Sequence, residues 1–145
     1  MSTYVASTTR LFVTAAAAVG SAKELVESTF KIVLDDYGVT YDRSTDLPEL
    51  YKLVALELRI ARESVPDSAK GSRASHKILS NLTTTVQNLA ELRNELGLGH
   101  SRTPTSKALT RHARLAGDSA QTIANFVLAT WHDRRAADER AGAAT

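Results

Sequence analysis

Arg93-Asn94-Glu95-Leu96-Gly97-Leu98-Gly99-His100 gathers a guanidinium, an amide and an imidazole within one short stretch of chain. A guanidinium holds a phosphate through two parallel hydrogen bonds, which an ammonium cannot match. An imidazole exchanges a proton near neutral pH. Together they form a minimal set for cutting a phosphodiester. In RNA the nucleophile is already present as the 2'-hydroxyl, so no metal-activated water is required. Such an enzyme needs a proton-transfer group and a cation over the charge that develops on the phosphorane. One copy of this chain offers one such histidine, whereas transesterification profits from both a base and an acid. A two-fold homodimer with the active site at its interface supplies the second.

The elements around the stretch have to position these groups. At 3.6 residues per turn, Leu82, Val86 and Leu89 form one stripe of a helix, with Ile78 and Leu96 at its edges. Arg93 projects about 20° from Leu82 on that wheel, inside the apolar stripe. Taken alone, it reads as a cation snorkelling from the last helical turn, where the dipole favours it. A charge that cannot be neutralised otherwise needs a partner, a wet cleft or an anion. Gly97 and Gly99 allow a tight reversal that returns His100 toward the helix end. Asn94 is placed to orient the imidazole or a phosphate oxygen.

The rest of the chain reads as helices. Its 145 residues are 43% hydrophobic and 23% charged, which suits one globular domain and excludes wholesale disorder. It has no cysteine, so disulfides, thiolate metal sites and cysteine nucleophiles are excluded. A net charge of +2 is weak evidence for a polyanion partner. The apolar run Leu11–Val19 superficially resembles a signal peptide but is too short to span a bilayer. Tyr4, Thr8, Leu11, Phe12, Ala15 and Val19 fall on one face, so it is read as an amphipathic first helix of a cytoplasmic protein with no membrane partner. Gly20 is expected to end that helix and Ser21-Ala22-Lys23-Glu24 to start a second with a capping box. The second helix shows Ala22, Leu25, Val26, Thr29, Phe30, Val33 and Tyr37 at helical spacing, and ends at Gly38. Asp46-Leu47-Pro48-Glu49 opens a third, to about Ala61. A fourth runs from about Ser72 to Leu96. The fifth, from Thr103-Pro104 to about Arg134, has Leu109, His112, Ala116, Ala120, Ile123, Val127 and Trp131 on its apolar face.

The fold expected is therefore all-α, an antiparallel up-and-down bundle of about five helices. One domain covers residues 1–136, with a frayed tail over 137–145.

An arginine, a polar residue and a histidine within a few positions resemble the motif of the HEPN superfamily of small helical nucleases, in which four to six residues separate Arg from His. Six separate Arg93 from His100, and Asn94 holds the polar position. Lys23-Glu24-Leu25-Val26-Glu27-Ser28, Lys31-Ile32-Val33-Leu34 with Tyr37-Gly38-Val39, Leu47-Pro48-Glu49-Leu50 and Ala113-Arg114-Leu115-Ala116 are similar to the C-terminal domain of abortive infection proteins. The likeness runs from about Tyr4 to Trp131. It implies a dimeric, metal-independent endoribonuclease used in phage exclusion or as a toxin, leaving a 2',3'-cyclic phosphate and a 5'-hydroxyl. Arg93, Asn94 and His100 take the family's catalytic positions, with no cofactor, and RNA, an antitoxin or an accessory protein are the partners implied. Two departures stand out: the further domain of larger relatives is not seen here, and Ser101-Arg102 stands where some family toxins carry a tyrosine modified by a partner enzyme. A catalytically inactive helical scaffold that binds RNA, a nucleotide or a protein is the rival reading.

Other residues carry two readings each. Lys23 and Glu27, one turn apart, form a solvated ion pair, or by the resemblance support the site. Arg102 and Lys107 form a basic rim for the RNA backbone or a plain solvated loop. His112 is a packed, hydrogen-bonded core residue or borders the cleft, while His76 and His132 read as surface residues. Asp35, Asp36, Asp42 and Asp46 lack the register of a calcium loop, so no metal is expected.

Overall fold

The computed structural model describes the backbone of residues 2–60, 71–97 and 106–144, and side chains within these except residues 2–14, 72, 93, 96–97 and 106–109. Among the described residues there are four helices and no strand: α1 (Ser2–Asp36), α2 (Leu47–Glu57), α3 (Ser72–Gly97) and α4 (Ser106–Ala143). The all-α expectation holds, with one helix fewer.

The missing boundary is at Gly20, where one helix of 35 residues runs through the expected break. A glycine inside a helix costs about 1 kcal/mol relative to alanine. Here tertiary packing outweighs it, because Val19 and Ala22 on either side are buried in the shared core. Ser21 and Glu24, expected as a capping box, are exposed positions of the continuous helix.

α1 packs most extensively on α4. Asp36 at the end of α1 meets Trp131 and Arg135 on α4. The buried residues of α1 (Val19, Val26, Phe30, Val33) and of α4 (Ala116, Ala120, Ile123, Val127) precede that junction in both helices. The two therefore run side by side in the same direction. α3 returns between them in the opposite sense: its first turns meet Tyr51, which packs on Phe30 of α1, and its end is joined to α4 by residues 98–105. α2 lies across α1 and α3 with Leu47, Leu50, Tyr51, Val54 and Ala55 buried.

Where side chains are described, the expected apolar faces of α1 and α4 are the observed ones apart from the exposed Leu25, and Arg111, Arg114, Asp118, Gln121 and Asn125 are exposed as expected; Tyr4, Thr8, Leu11, Phe12 and Leu109 lie outside the described side chains. On α3 the buried stripe is Leu79, Thr83, Val86, Leu89 and Ala90, with Leu82 half-buried and Ile78 57% exposed. The stripe is thus rotated toward small and hydroxylated residues, which a count of large apolar side chains overlooks. Thr83 tolerates burial because its hydroxyl donates to the Leu79 carbonyl at 2.8 Å. α4 passes the expected end at Arg134 and continues to Ala143. Alanines, arginines and Glu139 are good helix formers there, and Arg140 complements the dipole in the last turn.

Besides Asp36, the other three of the four clustered aspartates have structural duties at the C-terminal end of α1 and the start of α2. Asp46 caps α2 by accepting from the Glu49 amide at 3.0 Å, with Pro48 in the first turn as expected. Asp42 holds Ser44. Asp35 accepts from the Tyr41 hydroxyl at 2.8 Å.

Two helices end by the same device. After α1, Gly38 takes φ 69°, its amide bonds the Asp35 carbonyl at 3.1 Å, and the Val39 amide bonds the Leu34 carbonyl at 2.9 Å. After α2, Arg59 takes φ 57°, its amide bonds the Leu56 carbonyl at 3.2 Å, and the Ile60 amide bonds the Ala55 carbonyl at 2.9 Å. Both are Schellman caps, and α2 stops before Ala61 because of one. The left-handed residue is glycine in the first and an arginine in the second, where Cβ adds strain. We expect Gly38→Ala to lower, and Arg59→Gly to raise, unfolding stability by about 1 kcal/mol each. Urea denaturation measures both, and midpoints that fail to move in opposite directions would contradict the matched caps.

The α1–α4 junction also sets a pH dependence. Trp131 Nε1 donates to Asp36 Oδ2 at 2.9 Å, and the Arg135 guanidinium bonds Oδ1. The indole hydrogen bond first, then the guanidinium, hold the Asp36 carboxyl below the usual carboxylate range. Its contribution to stability is present above the unfolded-state pKa and disappears as pH falls through the folded one. The melting temperature should drop below about pH 4, the ordinary aspartate range, and Asp36→Asn should flatten that drop; an equally steep acid limb in the variant would contradict the role given to this carboxylate.

Candidate active site

The candidate catalytic stretch lies where α3 ends and α4 begins. Arg93 occupies α3 four residues after Leu89 and seven after Val86, both buried. Its backbone therefore continues the register of the buried stripe; its side chain is outside the described residues. Asn94 is on α3 and exposed. His100 and Arg102 lie outside the described residues, in the join between the two helices. Lys107 belongs to the first turn of α4, with its side chain outside the described set.

The residues expected to support the site pair differently from the sequence reading. Glu27 bonds Lys31, with Nζ to Oε1 at 2.6 Å, and not Lys23. The reason is orientation: on a helix, glutamate four residues ahead of lysine is the better order, and Lys23-to-Glu27 is the reverse. Lys31 also sits 6.0 Å from the centre of the Tyr41 ring. Lys23 is half-buried on α1 and makes no ion pair with a described residue.

His112 differs in part from the expected core histidine. It is half-buried, and its Nδ1 is buried with no hydrogen-bond partner among the described residues. An unmatched buried polar atom carries a desolvation cost of about 1–3 kcal/mol. His112 lies near the start of α4, on the side of the bundle where the Arg93–His100 stretch joins the helices. His132 is exposed, as expected.

The sequence reading missed His76. It was expected at the surface without neighbours, yet its Nδ1 lies 3.0 Å from the Tyr51 hydroxyl and its ring stacks on Tyr51 with centroids 5.6 Å apart. The Tyr51 hydroxyl also lies 3.3 Å from the His76 carbonyl. Tyr51 is 1% exposed, and burial pushes its phenol up, so it stays a neutral donor. With Nδ1 engaged, Nε2 is the ring nitrogen left to face outward. A signal did exist: a tyrosine on the apolar face of α2 brings a polar tip that needs a partner. Which residue of α3 supplies it depends on helix packing, and the sequence does not show that.

A family model for the HEPN-like domain, Abi_C, matches residues 13–131. The chain belongs to this HEPN-like family. No curated protein and no solved structure matches it. The matched range of the HEPN-like domain takes in most of α1 and all of α2 and α3, together with the Arg93–His100 stretch and α4 as far as Trp131. No helix among the described residues is long and apolar enough to cross a membrane.

Proposed function

We propose that this HEPN-like domain is a metal-independent endoribonuclease that acts as a cytoplasmic homodimer, in phage exclusion or as a toxin restrained by an antitoxin or accessory protein. The observation that carries the reading is the family match over residues 13–131, a range that includes Arg93, Asn94 and His100.

In this reading His100 of one copy removes the 2'-hydroxyl proton, and the freed oxygen attacks the adjacent phosphorus. Arg93 holds the non-bridging oxygens as the pentavalent charge builds up. The bond to the 5'-oxygen breaks, and the matching histidine of the partner copy protonates that oxygen. The products are a 2',3'-cyclic phosphate and a 5'-hydroxyl. Asn94 orients the imidazole or a phosphate oxygen. Lys23, Arg102 and Lys107 serve the RNA backbone, with Glu27 as a supporting contact.

Purified protein incubated with labelled RNA in EDTA tests the proposal. Wild type should cut, and His100→Ala and Arg93→Ala should each lose at least about a hundredfold in rate, the scale of one proton-transfer or charge-stabilising group. Activity only with added magnesium would overturn the histidine mechanism. Absence of cleavage on all RNAs tested, with normal growth on overexpression, would favour the scaffold reading.

A further inference from the structure

Val86 and Leu89 on α3, and Ala116, Ala120 and Ile123 on α4, are buried in the same core. Both stripes change character within two turns of the join between the helices. Four residues after Leu89 the register of α3 holds Arg93, and four residues before Ala116 the register of α4 holds His112. Arg93 is about 6 Å of helix from the end of α3 at Gly97, and His112 about 9 Å from the start of α4 at Ser106. α3 and α4 pack on each other in opposite senses, so the two positions fall at the same end of the pair.

His112 is out of keeping with its place. The next residue, Ala113, packs against the core, so α4 still lies on the bundle at that level. The ring is half-buried, and its Nδ1 is shut off from solvent with no partner among the described residues. The other described histidines differ: His76 has the Tyr51 hydroxyl 3.0 Å from its Nδ1, and His132 is exposed. Buried polar atoms are ordinarily hydrogen-bonded, and a leucine at this position would extend the stripe without burying a nitrogen. A residue that breaks the local rule at a cost in stability is a mark of a functional site. The segment that enters α4 just ahead of the ring contains His100.

We propose that His112 is a positioning residue of the candidate site, whose Nδ1 hydrogen-bonds the Arg93–His100 stretch and holds it against α4. It acts through the stretch and not on the substrate. An anchor on a helix limits the rotations open to a segment with two glycines, and so sets where the His100 ring stands. The effect on cleavage rests on the proposed function, whereas the contact between ring and stretch does not.

His112→Leu fills the position without a polar atom, and His112→Asn keeps a hydrogen-bonding group near the place of Nδ1. A residue that only packs would let His112→Leu melt higher and cut RNA as wild type does. A displacement of about 1 Å in a reacting group costs up to about a hundredfold. His112→Leu, melting no lower than wild type, should therefore lose at least about tenfold in kcat with KM within about twofold, and His112→Asn should recover most of that loss. Side-chain nuclear magnetic resonance of the histidines reads the contact in the protein free of RNA. The His100 ring signals should move in His112→Leu, while those of His132, about 30 Å further along α4, stay in place. Should circular dichroism show His112→Leu unfolded, His112→Ala takes its place in both readouts. Full cleavage by the substituted protein, or His100 signals that do not move in it, would overturn the proposal. A wild type that cuts no RNA, with His100 signals that still move in His112→Leu, would refute the endoribonuclease reading and leave the anchor standing.

Discussion

Val19, Ala22 and Val26 on α1 and Ala116, Ala120 and Ile123 on α4 are all buried in one core, and the two long helices that carry them lie side by side in the same direction. Small residues at such a contact let helices approach closely. Every other element is placed by that pair. α3 runs the opposite way and lies against both, and residues 98–105 connect its end to the start of α4. The candidate catalytic stretch is the connection that this geometry requires. Asp36, with Trp131 and Arg135, joins the end of α1 to the later turns of α4, far along α4 from its first turn at Ser106.

Much of this arrangement was legible from periodicity. The apolar faces of α1 and α4, the Asp46 cap with Pro48, and the Gly38 terminator all follow from local rules that act over one or two turns. The failures share a cause. Gly20 looked like a stop because glycine is a poor helix former, but the neighbouring buried Val19 and Ala22 outweigh that local cost. Arg59 gave no sign of a stop, because a left-handed arginine is supported only by the hydrogen bonds and packing around Ile60. The α3 stripe was misjudged by a rotation, since Thr83 and Ala90 are buried and Ile78 is not.

The site divides in the same way. The Arg-Asn spacing to His100 is a feature of the linear chain and could be read from it, as could its likeness to the HEPN-like family. The partners of single side chains could not. His76 depends on Tyr51 from another helix, and Glu27 chooses Lys31 over Lys23 by helix polarity.

The proposed mechanism stands on the substrate's own 2'-hydroxyl as nucleophile, and the chemistry of the cut end tests it most directly. Mass spectrometry of fragments from an RNA digested by the wild-type protein should show 2',3'-cyclic phosphate termini paired with 5'-hydroxyls, and a single 2'-deoxy sugar at the scissile position should abolish that cut. Fragments ending in a 3'-hydroxyl and a 5'-phosphate, or unhindered cutting at the deoxy position, would contradict the account.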